Sequence, residues 1–274
     1  MSIFNFIFIE LILKFPPLGR IRRLFRLRLP LPAPHVKMNP AGGHRTDAAI
    51  PSSVQGGARP ESAGGPEEKP VKIYDISQEV FGCAVYPGDP APERIRLQKM
   101  SEGALYNLTA FSMCAHNGTH VDAPSHFIEN GETVSQIGLD RFVGYAYVAS
   151  HEGELSSSDA ERILGEAASK AALSRIPGCD CSGRILVKGK AVVTEEAAKV
   201  FAARRILLFG NESQTVGPES APMAVHQIML GSGIVLLEGI RLSEVKDGIY
   251  FLNAAPIHLG QADGAPCRAW LIGC

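Results

Sequence analysis

Three histidines and one aspartate fall within His116-Asn117-Gly118-Thr119-His120-Val121-Asp122-Ala123-Pro124-Ser125-His126. Only eight of the 274 residues are histidine, so three in one stretch is a concentration that calls for a reason. Imidazole nitrogen and carboxylate oxygen are the usual protein ligands of zinc, and they also suit manganese and iron. His116 and His120 are four apart, so one helical turn or a tight loop can aim both at one point. Asp122 lies two residues beyond His120, where an extended backbone returns a side chain to the same side. Gly118 permits a positive φ or close approach, and Pro124 blocks a continuing helix. The stretch reads as a shaped loop presenting metal ligands. Surface histidines in a polar loop would explain a lone His-x-x-x-His, but not the added aspartate and third histidine.

Two later residues have the right chemistry. His226 sits in the apolar helix Ala-Val-His-Gln-Ile-Met-Leu, where a polar side chain needs a partner. Glu238 ends the apolar run Ile234-Val-Leu-Leu-Glu238-Gly239. A carboxylate carried inward by such a strand must meet a cation or take up a proton. The competing readings are a strand-end glutamate in solvent or a salt bridge to Arg241.

The elements that must position these residues begin near Val71, where 71–77 alternates as a strand. Turn chemistry follows at Tyr86-Pro87-Gly88-Asp89. Strands are expected over 93–100 and 105–114, the second delivering the chain to His116 and giving the ligands a rigid base. Beyond the motif we expect a strand over 142–150, a serine-capped helix over 158–172 and a strand over 184–188. A threonine-capped helix over 194–204 and a strand over 205–209 complete a parallel βαβ unit. A short helix over 223–230 precedes the strand 234–237, and strands near 248–254 and 266–272 close the chain. The class is α/β, one domain of mixed sheet with flanking helices.

The motif His-x-Gly-Thr-His-x-Asp-x-Pro-x-His resembles the signature of the metal-dependent cyclase/hydrolase family, which includes bacterial kynurenine formamidase and isatin hydrolase. All seven fixed positions are present, and the resemblance spans residues 71–274. It implies a swivelling β/β/α fold and a centre of two zinc ions, with manganese as the alternative. In that centre His116 and His120 hold one ion, His226 the other, and Asp122 and Glu238 bridge. The resemblance makes His126 a proton donor and acceptor beside a metal-bound hydroxide; the residues alone leave open whether it is a further ligand. It also makes Tyr86, beside Pro-Gly-Asp, a wall of the substrate pocket where the family commonly has tryptophan. Thr215-Val216-Gly217-Pro218 departs from the Ser-Val-Asp segment common in formamidases. Phe127, Asn130-Gly131 and Phe142-Val143-Gly144 agree with the family.

Composition bounds the remainder. Hydrophobic content of 45%, charged content of 20% and a net charge of −1 are those of an ordinary globular protein. They give no whole-chain argument for nucleic acid or membrane. Six scattered cysteines without Cys-x-x-Cys spacing read as reduced thiols of a cytoplasmic protein, and Cys179-Asp180-Cys181 as a loop. Residues 1–70 differ from the rest: a short apolar stretch, then Arg20, Arg22, Arg23, Arg26 and Arg28 among apolar residues, then a Gly/Pro/Ser/Ala-rich run from Met38. That region is expected to be a disordered or non-native extension, with Met38 as the start. The arginine cluster also fits an interfacial helix or a targeting peptide.

The leading expectation is therefore a metal-dependent hydrolase of small carboxamides, most concretely an arylformamidase, in a homo-oligomer implied by the resemblance. An isatin hydrolase-like lactam opener with a single manganese is the alternative. A metal-binding protein without catalysis is the reading from another class.

Overall fold

A computed structural model describes residues 71–274, so the expectations for 1–70 lie outside the described residues. The elements are β1 Ile73–Asp75, β2 Glu93–Gln98, β3 Leu108–Ser112, β4 His120–Asp122 and α1 Leu139–Phe142. Then come β5 Val143–Ser150, β6 Gly153–Leu155, α2 Ser157–Leu173, β7 Arg184–Lys188, β8 Ala191–Val193, α3 Glu195–Arg204 and β9 Leu208–Asn211. The chain ends with α4 Met223–Gly231, β10 Val235–Glu238, β11 Gly248–Asn253, β12 Gly264–Pro266 and β13 Trp270–Gly273.

Nine strands form one mixed sheet in the order β1-β13-β11-β5-β7-β9-β10-β4-β12. Its centre, β5-β7-β9-β10, is parallel, and β7, α3 and β9 make the expected βαβ crossover. The outer strands on both sides are antiparallel.

The two faces of the sheet are read off by alternation. Along β7, Ile185 and Val187 pack against α2, α3 and α4, whereas Leu186 joins the second cluster on the opposite face. The helices are held by local signals: Ser156 caps α2 in a reciprocal box with Asp159, and Thr194 caps α3 through the Ala197 N–H. Ala160, Ile163, Leu164 and Ala167 form the buried stripe of α2, at helical spacing.

Five expectations need correction. The motif is not wholly loop, because His120–Asp122 is a buried strand inside the sheet. The strand before it is not the rigid base: Leu108–Ser112 pairs only with β2, in an exposed two-stranded hairpin. The expected strand 205–209 starts late because Arg205 takes a left-handed conformation that ends α3. The stretch 266–272 divides, since Cys267 to Ala269 leave β12 before β13 begins. The expected strand 142–150 begins one residue late, Phe142 closing the short helix α1.

Candidate metal centre and active site

Alternation and register together build the site. On β4, Val121 turns to the second cluster, so His120 and Asp122 face the side covered by the helices. On β10, Val235 and Leu237 belong to that second cluster, so Leu236 and Glu238 face the helices as well. Antiparallel pairing sets Glu238 opposite His120 and Leu236 opposite Asp122. Helix α4, packed on the same face, carries His226. Residues separated by more than a hundred positions thus meet because three elements share one side of one sheet.

The resulting cluster is tight and buried. Asp122 Oδ1 lies 2.8 Å from His116 Nδ1 and 3.3 Å from His120 Nε2. Its Oδ2 lies 3.7 Å from His226 Nε2. Glu238 Oε1 is 3.2 Å from His226 Nε2, and its Oε2 is 3.5 Å from His120 Nε2. Ligand atoms of His116, His120 and Asp122 lie within 4.8 Å of one another, as do those of Asp122, His226 and Glu238. Asp122 is common to both groups. Glu238 is neither in solvent nor paired with Arg241; it is 2% exposed and accepts the Val216 N–H at 2.8 Å.

Two histidines are oriented from behind. His120 Nδ1 bonds to the Gly118 carbonyl at 3.0 Å, and His226 Nδ1 to that of Pro222 at 2.8 Å. A carbonyl only accepts, so both rings carry their proton on Nδ1 and turn Nε2 inward. Gly118 has a φ of +66°, and a Cβ there would stand 2.9 Å from the Cys83 Cβ, so this turn requires glycine. Thr119 ties the motif to the strand beyond: its hydroxyl donates to the Gly239 carbonyl and accepts from the Gln78 N–H.

Carboxylates and imidazoles this close shift one another's proton affinity. Burial opposes charge on His120, but Asp122 and Glu238 outweigh it and push its pKa up to about 10. His116 and His226 are raised in the same way, against burial, by Asp122 and by Glu238 respectively. Asp122 is held well below the usual carboxylate range: burial opposes this, and His116 and His120 overcome it. Asp122 Oδ2 is buried and has no hydrogen-bond partner. An unpartnered carboxylate oxygen within a shell of imidazole nitrogens and a second carboxylate fits divalent metal of the zinc or manganese kind.

His126, on the turn Pro124–His126, is outside these two groups but forms a third with His116 and Asp263, their ligand atoms again within 4.8 Å of one another. It stacks on His116, ring centroids 3.9 Å apart, and burial pushes its pKa down. His126 opens, with the ligands, onto a cavity of about 250 Å³ lined also by Tyr86, Asp89, Cys114, Phe127, Gln214 and Thr215. Tyr86 donates its hydroxyl to the Glu219 carbonyl at 2.8 Å, which pins the ring as a wall.

The sequence reading missed Asp263, whose Oδ2 lies 3.0 Å from His116 Nε2 and 3.1 Å from His126 Nδ1. The Asp-Gly pair ahead of β12 reads in sequence only as a turn. Gln214 was missed as well.

The Cyclase family model matches residues 71–218, more than half of the chain. The chain belongs to the cyclase family. A kynurenine formamidase of Salinibacter ruber (strain DSM 13855 / M31) is 30% identical over 213 residues, 73% of this chain and 96% of the relative. The structure of a predicted metal-dependent hydrolase from Bacillus stearothermophilus has a TM-score of 0.59 at 26% identity, covering 74% of this chain and 99% of that one. Isatin hydrolase A from Labrenzia aggregata shares the fold, with a TM-score of 0.57 at 21% identity over 74% and 93% of the two chains. This cyclase-family member is a hydrolase of carbon–nitrogen bonds other than peptide bonds. The mixed α/β single domain and the metal-dependent family expected from the motif both hold.

Proposed function

We propose that the chain is a two-metal arylformamidase that hydrolyses a small N-formyl aryl amide, with 71–274 as its hydrolase domain. The observation that carries this reading is the pair of ligand groups sharing Asp122, with His126 outside both and lining the same cavity. His116 and His120 would hold one ion, His226 the other, and Asp122 and Glu238 would lie between them. Divalent ions held there supply the Lewis acidity that activates water and polarises a carbonyl. His126, neutral because burial disfavours its charged form, takes a proton from the attacking water and returns it to the departing nitrogen. Tyr86 and Phe127 flank an aromatic ring, and the cavity is at the small end of ligand sites, as a one-ring substrate requires.

The kynurenine-type reading takes two metal sites, whereas the lactam alternative uses one; the burial of both His226 and Glu238 beside Asp122 favours two. A metal-binding protein without catalysis has no use for an unligated His126. As for assembly, the β2–β3 hairpin exposes Ile95, Leu97, Leu108 and Phe111, which supports a homo-oligomer. Among the described residues no helix is long and apolar enough to cross a membrane.

The test is hydrolysis of N-formylkynurenine and isatin by zinc- and manganese-reconstituted protein, beside its His126→Ala form. We expect the formamide to be preferred and the substitution to cost roughly 10²–10⁴ in kcat, the range of general acid–base catalysis. Equal rates for the two forms would overturn the role of His126.

A further inference from the structure

We infer that Asp263 is the positioning residue of this site, setting through one carboxylate oxygen the proton positions of both the ligand His116 and the base His126. The inference rests on the proposed role of His126, and its geometry is independent of the substrate.

Asp263 Oδ2 contacts two rings, His116 at Nε2 and His126 at Nδ1. The Asp263 side chain keeps about half of its surface in solvent, where an aspartate is ionised at neutral pH. An ionised carboxylate only accepts hydrogen bonds, so both contacting nitrogens carry hydrogen. His116 thereby presents Nδ1 to Asp122, the face a metal would take, and His126 presents a bare Nε2. The parallel stacking of the two rings puts both edges within reach of the one oxygen.

The backbone keeps the carboxylate in place. Ala123, next after the ligand Asp122, donates its N–H to the Asp263 carbonyl at 2.8 Å, and Val134 donates to that of Ala262 at 2.9 Å. Gly264 then pairs with Asp122 across β12 and β4. A Cβ on Gly264 would stand 2.6 Å from His116 Cε1, so the ring lies directly over this glycine. Strand pairing therefore fixes the acceptor, the ligand ring and the ligand carboxylate relative to one another. Without the acceptor, His126 would revert towards the Nε2–H form that free histidine prefers in water, and its lone pair would leave the cavity.

The test is 15N NMR of the imidazoles in the full chain, metal-free and zinc-reconstituted, read together with kinetics and zinc content. In the wild-type protein His126 is expected as the Nδ1–H tautomer; finding it as Nε2–H overturns the inference without any variant. Asp263→Ala is expected to move His126 to Nε2–H, to lower kcat roughly a hundredfold with KM within about threefold, and to leave zinc content unchanged. Asp263→Asn, which keeps an oxygen acceptor, is expected to retain the Nδ1–H signal and kcat within about tenfold. An unchanged tautomer in the Ala form, an Asn form as impaired as the Ala form, or lost zinc (which would make Asp263 a ligand with His116 and His126) each overturns it. If no amide is hydrolysed while the tautomer shifts as expected, the proposed function fails and the positioning role stands.

Discussion

At the residue scale, the site depends on which groups hold protons and which are free. Burial lowers the pKa of His126, so its base form persists below the ordinary value of 6.5. The acidic limb of kcat/KM should therefore have its midpoint below 6.5, and bound cations shift it further the same way. A pH–rate profile with a midpoint above 7 would contradict this. Glu238 makes a different prediction. Glu238→Gln keeps the oxygen that accepts the Val216 N–H but removes the charge facing His120 and His226. We expect about one equivalent of metal to be lost per chain, measured by plasma emission, with the fold intact.

At the element scale, close contact between strands carries the chemistry. Gly264→Ala places a methyl group against the His116 ring and the Val121 carbonyl. Overpacking of this kind costs about 1–3 kcal/mol. The expected result is a fall in both melting temperature and kcat, since the displaced ring is a ligand. Ser156→Ala provides the contrast. It removes the α2 cap, far from the cavity, and should cost about 1 kcal/mol while leaving kcat unchanged. Thermal melts and steady-state kinetics on the two variants separate the cases. The element reading also explains what was legible. Caps at Ser156 and Thr194 and the continuous apolar run of β7 are local signals, and they placed α2, α3 and β7 within a residue or two. Of the five three-residue strands, β4, β6, β8 and β12 carry too little pattern, because pairing with neighbours holds them rather than their own alternation.

At the scale of the whole molecule, metal and stability are linked through pH. His120 has a pKa of about 10 in the metal-free fold against 6.5 unfolded. Its stabilising contribution is complete below 6.5 and is lost as pH rises through 10. Metal-free protein should therefore melt at a lower temperature at pH 9.5 than at pH 6.5. Metal competes with those same protons, so affinity should rise over that range and zinc should reverse the trend. Melting curves with EDTA and with zinc at both pH values check the sign. A metal-free protein equally stable at both would sink the reading of the cluster as a proton store.

The sequence by itself determined the donor atoms: His116, His120 and Asp122 in one stretch, and a carboxylate at the end of an apolar strand. Periodicity tells which side of its own element a residue faces, and that much is local. Only the tertiary structure decided that β4 lies beside β10, in a register that opposes His120 to Glu238, with α4 over the same face. The same pairing brought Asp263 under two histidines from a turn that announces no chemistry. Strand order and register are set by how all the apolar faces are buried at once, and no single segment contains that information.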